Sequence, residues 1–183
     1  MNEVLNCIAS RYSCRDYTGE PLTKEQVTAL VNAALASPSA MNRQPWKVII
    51  ITDKALIDEM DAAAMDVLSR ADSAAFGRIN SRGGKMYYNA PCMVMVASDG
   101  SKFADCDCGI LSQNVSLAAH SMGLGSVICG MARIALESPR GKEFLGRMGF
   151  PEDYVFGMAV LVGKAGSARE PHELDMGKVS FAE

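Results

Sequence analysis

Residues 37–52 read SPSAMNRQPWKVIIIT. The stretch changes character twice. Pro38 disfavours a helical residue before it, so any helix arriving from upstream stops near Ser37. A polar loop follows, carrying the amide side chains of Asn42 and Gln44. Then Trp46 to Thr52 forms an apolar run of strand length, which reads as a buried strand. Helix, polar loop and buried strand in one pass point to a chain that mixes the two kinds of element.

Reading outward supports this. Upstream, Val27, Leu30, Val31, Ala34 and Leu35 recur at helical spacing, and Thr23 with Gln26 forms a capping-box pattern at the start of that helix. Val4, Leu5 and Ile8 share one face of a short first helix. Downstream, Leu56, Ile57, Met60, Val67 and Leu68 mark a helix over about 53–71. Residues 72–89 have no clean period, and Gly83-Gly84 marks a break or a mobile cover. Strands are expected over 92–98, 126–131 and 154–162, with a long helix over 105–122 capped by Gly123. Ser138 and Pro139 read as an N-cap and first helical position of a short helix that ends at Gly149. After a polar arm over 163–177, Val179 and Phe181 alternate as in a strand that could extend a neighbouring chain's sheet.

The chain has 183 residues, a length that fits one domain, here residues 1–183 with a C-terminal arm over about 163–183. A domain of this size buries roughly 70% of the surface of its unfolded chain and needs no metal or disulfide staple. The net charge of -3 argues against a nucleic-acid partner. No apolar run is long enough to span a bilayer and no secretory signal is visible, so the expected location is the cytoplasm, with no membrane partner. The six cysteines are mostly scattered singly, and the two histidines offer no zinc-like spacing, so no metal site is expected.

Two clusters carry the chemistry. Arg11, Ser13 and Arg15 fall within five residues, and Lys164 to Arg169 (KAGSAR) directly follows the last expected core strand. Taken singly, each reads either as solvated surface charge or as a grip on phosphate, whose oxygens a guanidinium fork matches bidentately. The amides of Asn42 and Gln44 offer donors and acceptors together, which suits a heterocycle edge with alternating N–H and C=O groups. They equally suit a turn in which Ser39 and Asn42 satisfy backbone groups. The Gly123-Leu124-Gly125 turn follows a helix and opens a strand, the reverse of a dinucleotide fingerprint.

RYSCRDYTGEPL (11–22) followed by SPSAMNRQPWKVIII (37–51) resembles the N-terminal signature of the FMN-dependent nitroreductase family. NAPCMVMV, DCGILSQNVSLAAHSMGLGSVICG and GFPEDYVFGMAVLVGKAGSAR resemble the family's later landmarks, in its order. The resemblance implies an α+β fold with a central mixed, mainly antiparallel sheet flanked by helices, and a homodimer that exchanges C-terminal strands and shares two flavin sites. It implies FMN as cofactor and NADH or NADPH as donor, with two electrons passed to a nitroaromatic, quinone or similar acceptor by a ping-pong route. Other acceptors (dehalogenation, enone or free-flavin reduction) and a non-catalytic flavin-holding module are the alternatives. Arg11 and Ser13 would hold the FMN phosphate together with Arg169 and Lys164, Tyr12 lying between them. Arg15 would lie at the N1 and O2 edge and tune the flavin, which does the chemistry itself, so no protein residue is expected to be catalytic. Asn42 and Gln44 would meet the pyrimidine edge, Pro38, Ser39 and Ala40 would line the flavin from the partner subunit, and backbone around Cys129 and Gly130 would face N5. Tyr12 stands where an arginine or histidine is common in the family, and Cys129 where some members carry glutamate.

Overall fold

The computed structural model describes residues 2–182. The elements run α1 (Glu3–Ser10), α2 (Lys24–Leu35), β1 (Trp46–Ile51), α3 (Lys54–Ala71), α4 (Ser73–Asn80), β2 (Cys92–Ser98), α5 (Ala104–Ser121), β3 (Gly125–Ile128), α6 (Arg133–Leu136), α7 (Gly141–Met148) and β4 (Val155–Gly163). The strands form one sheet in the order β1-β2-β4-β3, every ladder antiparallel. Among the described residues, parallel pairing is confined to a single bridge, Ser13 with Ser126.

The sheet divides two apolar cores, and strand alternation explains how. All seven residues of β2 are buried. Met93, Met95 and Ala97 point to the layer of α3, α6 and α7, while Cys92, Val94 and Val96 point to α2 and α5. Strand β4 divides likewise, Ala159 and Leu161 on one face and Val160 and Val162 on the other. A strand buried on both faces must be apolar throughout, which is why 92–98 is legible as a continuous run.

Local signals set the helix ends. The Thr23 capping box is complete: Gln26 N–H donates to Thr23 Oγ1 at 3.2 Å and Thr23 N–H donates to Gln26 Oε1 at 2.9 Å. Gly149 ends α7 in the left-handed conformation, φ 62°.

Three expectations are corrected. Residues 73–80 form a helix, α4, whose start is fixed by Asp72 accepting from Ala75 N–H at 2.8 Å. Helix α7 starts at Gly141, because Ser138 closes a turn: its hydroxyl donates to Ala135 O at 2.6 Å and accepts from Arg140 N–H at 3.2 Å. Strand β3 stops at Ile128, where a 3₁₀ turn over Gly130–Ala132 diverts the chain. The tail forms a 3₁₀ turn at Met176–Lys178 and, among the described residues, pairs with no strand of its own chain, Val179 and Phe181 being exposed; pairing with a neighbouring chain stays an expectation.

Candidate functional site

The N-terminal segment after α1 is threaded between the end of β4 and the start of β3. Cys14 N–H donates to Ser126 O at 2.9 Å, Thr18 N–H to Lys164 O at 3.0 Å, and Gly166 N–H to Asp16 O at 2.9 Å. Tyr17 is buried and its hydroxyl reaches Cys14 O and Leu161 O, each at 3.1 Å. Glycines make room for this crossing. A Cβ at Gly125 would stand 2.7 Å from Cys14 Sγ, and one at Gly163 would stand 2.5 Å from Pro91 Cδ and 3.0 Å from a Tyr17 ring carbon.

Threading brings the two basic stretches together. Arg11, Tyr12, Ser13, Arg15 and Arg169 line one cavity of about 320 Å³, with Glu170 and His172. Arg15 and Arg169 also line an adjoining cavity of about 460 Å³ with Asp16, Arg82, Tyr88 and Ser167. Among the described residues, Arg11, Arg15, Arg82 and Arg169 have no ion pair. Arg70, Arg133, Arg140 and Arg147 are all paired with carboxylates. Unpaired guanidiniums converging on a concave surface can accept an anion, and a serine hydroxyl among them can add a donor, with Glu170 as the opposing charge. Burial raises the Tyr12 hydroxyl pKa, with the Arg169 charge opposing the rise. Tyr12 also ties the arm down, its hydroxyl donating to Ser167 O at 3.4 Å.

Lys164 stands apart: its ammonium is 3.1 Å from both Glu20 carboxylate oxygens and lines neither cavity. Cys129 is buried, its N–H spent on Ala159 O at 2.8 Å. Burial pushes its thiol up to about 11, against backbone N–H groups and the Arg15 charge that pull it down. Gly130 lines a further cavity of about 580 Å³, with Met131, Arg133 and Ile134 beside Phe156, Gly157, Met158 and Asp105.

The 38–44 loop belongs to another part of the surface. Ala40 N–H donates to the buried carboxylate of Asp107 on α5 at 3.2 and 3.3 Å, and Asn114 Nδ2 donates to Ser37 Oγ at 2.9 Å. Ser39 Oγ accepts from Gln44 N–H at 2.9 Å and Asn42 Oδ1 from Gln44 Nε2 at 3.2 Å, so Ser39 satisfies a backbone group while Asn42 meets the Gln44 side chain. Met41, Asn42 and Gln44 nonetheless have φ of 54°, 54° and 48°, and strain of this kind concentrates at ligand sites. Pro38, Met41, Asn42 and Gln44 are exposed, and none of the loop lines the arginine cavities.

Sequence reasoning missed Asp16, Arg82, Tyr88, Ser167, Glu170 and the buried pair of Asp61 and Asp107. Asp61 accepts from Tyr87 N–H, and burial raises its carboxyl above the usual range. It anchors a turn in which Tyr88 and Asn89 have φ of 54° and 64°. No periodicity marks such residues; paired left-handed positions at Tyr88-Asn89 have only the asparagine as a sequence signal.

Comparison with known proteins gives the chain's relatives. The model of the nitroreductase family matches residues 8–164. A crystal structure of a nitroreductase with bound FMN from Desulfitobacterium hafniense superposes with a TM-score of 0.96, at 43% identity over all of both chains. A protein of Archaeoglobus fulgidus with the provisional name NADH dehydrogenase/NAD(P)H nitroreductase is 30% identical over 96% of this chain and 92% of its own. The FMN reductase [NAD(P)H] of Bacillus subtilis is 30% identical over 88% of this chain, which spans 65% of that longer enzyme. Matched by the family model over most of its length and by relatives of this identity and coverage, the chain belongs to the nitroreductase family.

Proposed function

We propose that this chain is an NAD(P)H-dependent FMN oxidoreductase that passes two electrons to nitroaromatic, quinone or similar acceptors in ping-pong fashion. The observation that carries the reading is the convergence of Arg11, Ser13, Arg15 and Arg169, drawn from both ends of the chain, on one cavity without competing ion pairs. The residues fit FMN: a dianionic phosphate needs fixed cations and a hydroxyl donor, and both are present. FMN, when bound, supplies the electron chemistry; the protein positions and tunes it. Arg11, Ser13 and Arg169 would hold the phosphate. Arg15 would place a permanent positive charge at the pyrimidine edge, favouring negative charge there. Cys129 stays a neutral thiol at physiological pH and contributes shape rather than charge. Lys164, paired with Glu20, would act only at the rim.

The other half of the site is assigned to a second copy. The amide loop is anchored to Asp107 near the start of α5, whereas the arginine segment crosses at Ser126, beyond that helix's far end. One chain does not bring them into a shared cavity, so Pro38, Ser39, Ala40, Asn42 and Gln44 would serve the partner's flavin. Surface area supports a dimer. The chain exposes 10395 Å², whereas a compact monomer of 19.6 kDa exposes about 8,600 Å². Exposed Val4, Leu5 and Ile8 on α1, and Leu174, Met176, Val179 and Phe181 on the arm, account for apolar surface that association would cover. No helix is long and apolar enough to cross a membrane among the described residues.

The purified protein should be yellow, with flavin absorbance that bleaches anaerobically on adding NADH or NADPH. A colourless protein that refuses added FMN contradicts the reading. Colour that neither donor bleaches leaves flavin binding standing and removes the nicotinamide donor.

A further inference from the structure

Asp107 is 4% exposed, and among the described residues no cation pairs with it. Burying a carboxylate without a cation costs folding energy. Its place in the first turn of α5 offsets part of that cost, because a helix N-terminus favours negative charge. The backbone group it holds is the Ala40 N–H, which meets both carboxylate oxygens, at 3.2 and 3.3 Å. A charged acceptor holds an N–H about twice as strongly as a neutral one. About two helical turns on, along the same face, Asn114 Nδ2 donates to Ser37 Oγ at 2.9 Å. Helix α5 thus pins the chain at Ser37 and Ala40, just before Met41, Asn42 and Gln44 take left-handed φ. Local bonds set the shape of the loop itself: Asn42 N–H donates to Ser39 O at 2.9 Å and Arg43 N–H to Ala40 O at 3.1 Å. That shape joins the two amides through Gln44 Nε2 and Asn42 Oδ1, and leaves Asn42 Nδ2 and Gln44 Oε1 without partners among the described residues. One donor beside one acceptor matches a ring edge of alternating C=O and N–H groups. Neither the arginine cavities nor the cavity at Gly130, which reaches Asp105, contains any of residues 37–44. From Asp107 to Ser121 the helix rises about 21 Å, and the arginine segment crosses beyond that end.

This rests on the shared-site reading above and deepens it. We propose that Asp107 is a positioning residue for the flavin held by the other subunit's arginine clasp. It fixes Ala40, so that the Asn42 and Gln44 amide pair stands ready for the ring edge of that flavin, and Asn114 supports it through Ser37. Strain maintained by a buried charge then serves binding rather than folding.

The test is fluorescence titration with FMN and with riboflavin, on homodimers and on heterodimers made by co-expressing two differently tagged chains. Asp107→Ala weakens FMN and riboflavin alike, by about tenfold, and so keeps the preference for FMN that an intact clasp confers. Asp107→Asn, which keeps one acceptor oxygen, falls between. If Asp107→Ala does not fold, Asn114→Ala takes its place with the same expectation. In the heterodimer of Asp107→Ala with Arg169→Gln, one site combines an intact clasp with an intact loop, so about half of the sites recover wild-type FMN affinity. Unchanged flavin affinity in Asp107→Ala, a lost preference for FMN, or a heterodimer without a wild-type site overturns the inference. The heterodimer of Asn42→Ala with Arg169→Gln separates the two levels. If it regains a site and the Asp107 pair does not, the shared loop stands and the role of Asp107 falls. If neither pair regains one, the shared-site reading falls and takes this inference with it. Protein that takes up no flavin sinks the FMN reading instead.

Discussion

The two halves of the proposed flavin site are built on opposite plans. The arginine segment is woven into its own sheet: backbone bonds at Cys14, Thr18 and Gly166 tie residues 14–18 to β3 and to the exit of β4. The amide loop is fastened at its start, where Ala40 meets Asp107, and then carries three non-glycine residues in left-handed conformations toward solvent. The first region is stable because the chain's own core holds it. The second carries unrelieved local strain and exposed functional groups, which fits a surface offered to another subunit. The difference teaches where to look for each kind of effect: damage to the arginine side should cost both folding and cofactor, whereas damage to the loop should separate the two.

The largest effect is expected where the weave is tightest. Gly125→Val places side-chain carbon within reach of Cys14 Sγ, 2.7 Å from a Cβ there. It should lower stability by about 3 kcal/mol and weaken FMN binding together, as read by chemical denaturation and flavin fluorescence. Loss of one without the other breaks the claim that the segment's seating and the phosphate clasp are a single construction.

Next comes the clasp itself. Arg11→Gln removes an unpaired cation from the cavity wall without touching the core, since α1 buries no residue. FMN affinity should fall about ten- to hundredfold, the range of a charge-assisted hydrogen bond, with a melting temperature of the apo protein close to wild type. A fall in apo stability instead would mean that Arg11 is structural.

The smallest effect sharpens the contrast from the loop side. Met41 is 81% exposed with φ 54°, so Met41→Gly should relieve left-handed strain and raise stability by about 0.5–1 kcal/mol. FMN affinity should hold or fall, because relief of strain also loosens the loop. Destabilisation would show that Met41 is buried in contacts a second chain provides.

Much of this was legible in the sequence for physical reasons that can be named. Strand β2 announces itself because burial on both faces demands an unbroken apolar run, and α2 because its capping box is written in Thr23 and Gln26. The arginine cluster is dense enough to suggest an anion, and its meeting with Arg169 follows once Tyr17 packs under Leu161. Helix α4 was hidden because its apolar residues, Phe76 and Ile79, are few and only half buried. The start of α7 was misplaced because serine before proline serves a turn as well as a cap. Arg82 and Tyr88 were invisible as site residues, since only the anchoring of their turn by Asp61 and Tyr17 brings them to the cavity. The apolar alternation at Val179 and Phe181 has no partner strand among the described residues of a single chain.

The most direct measurement compares FMN with riboflavin, which lacks only the phosphate, by fluorescence titration of wild-type protein and of Arg169→Gln. The account predicts that wild-type protein binds FMN at least about a hundredfold more tightly than riboflavin, and that Arg169→Gln removes about tenfold or more of that preference while leaving riboflavin binding unchanged. Equal affinity for the two flavins in wild-type protein, or a preference indifferent to Arg169, would contradict the convergence of both chain ends on one phosphate.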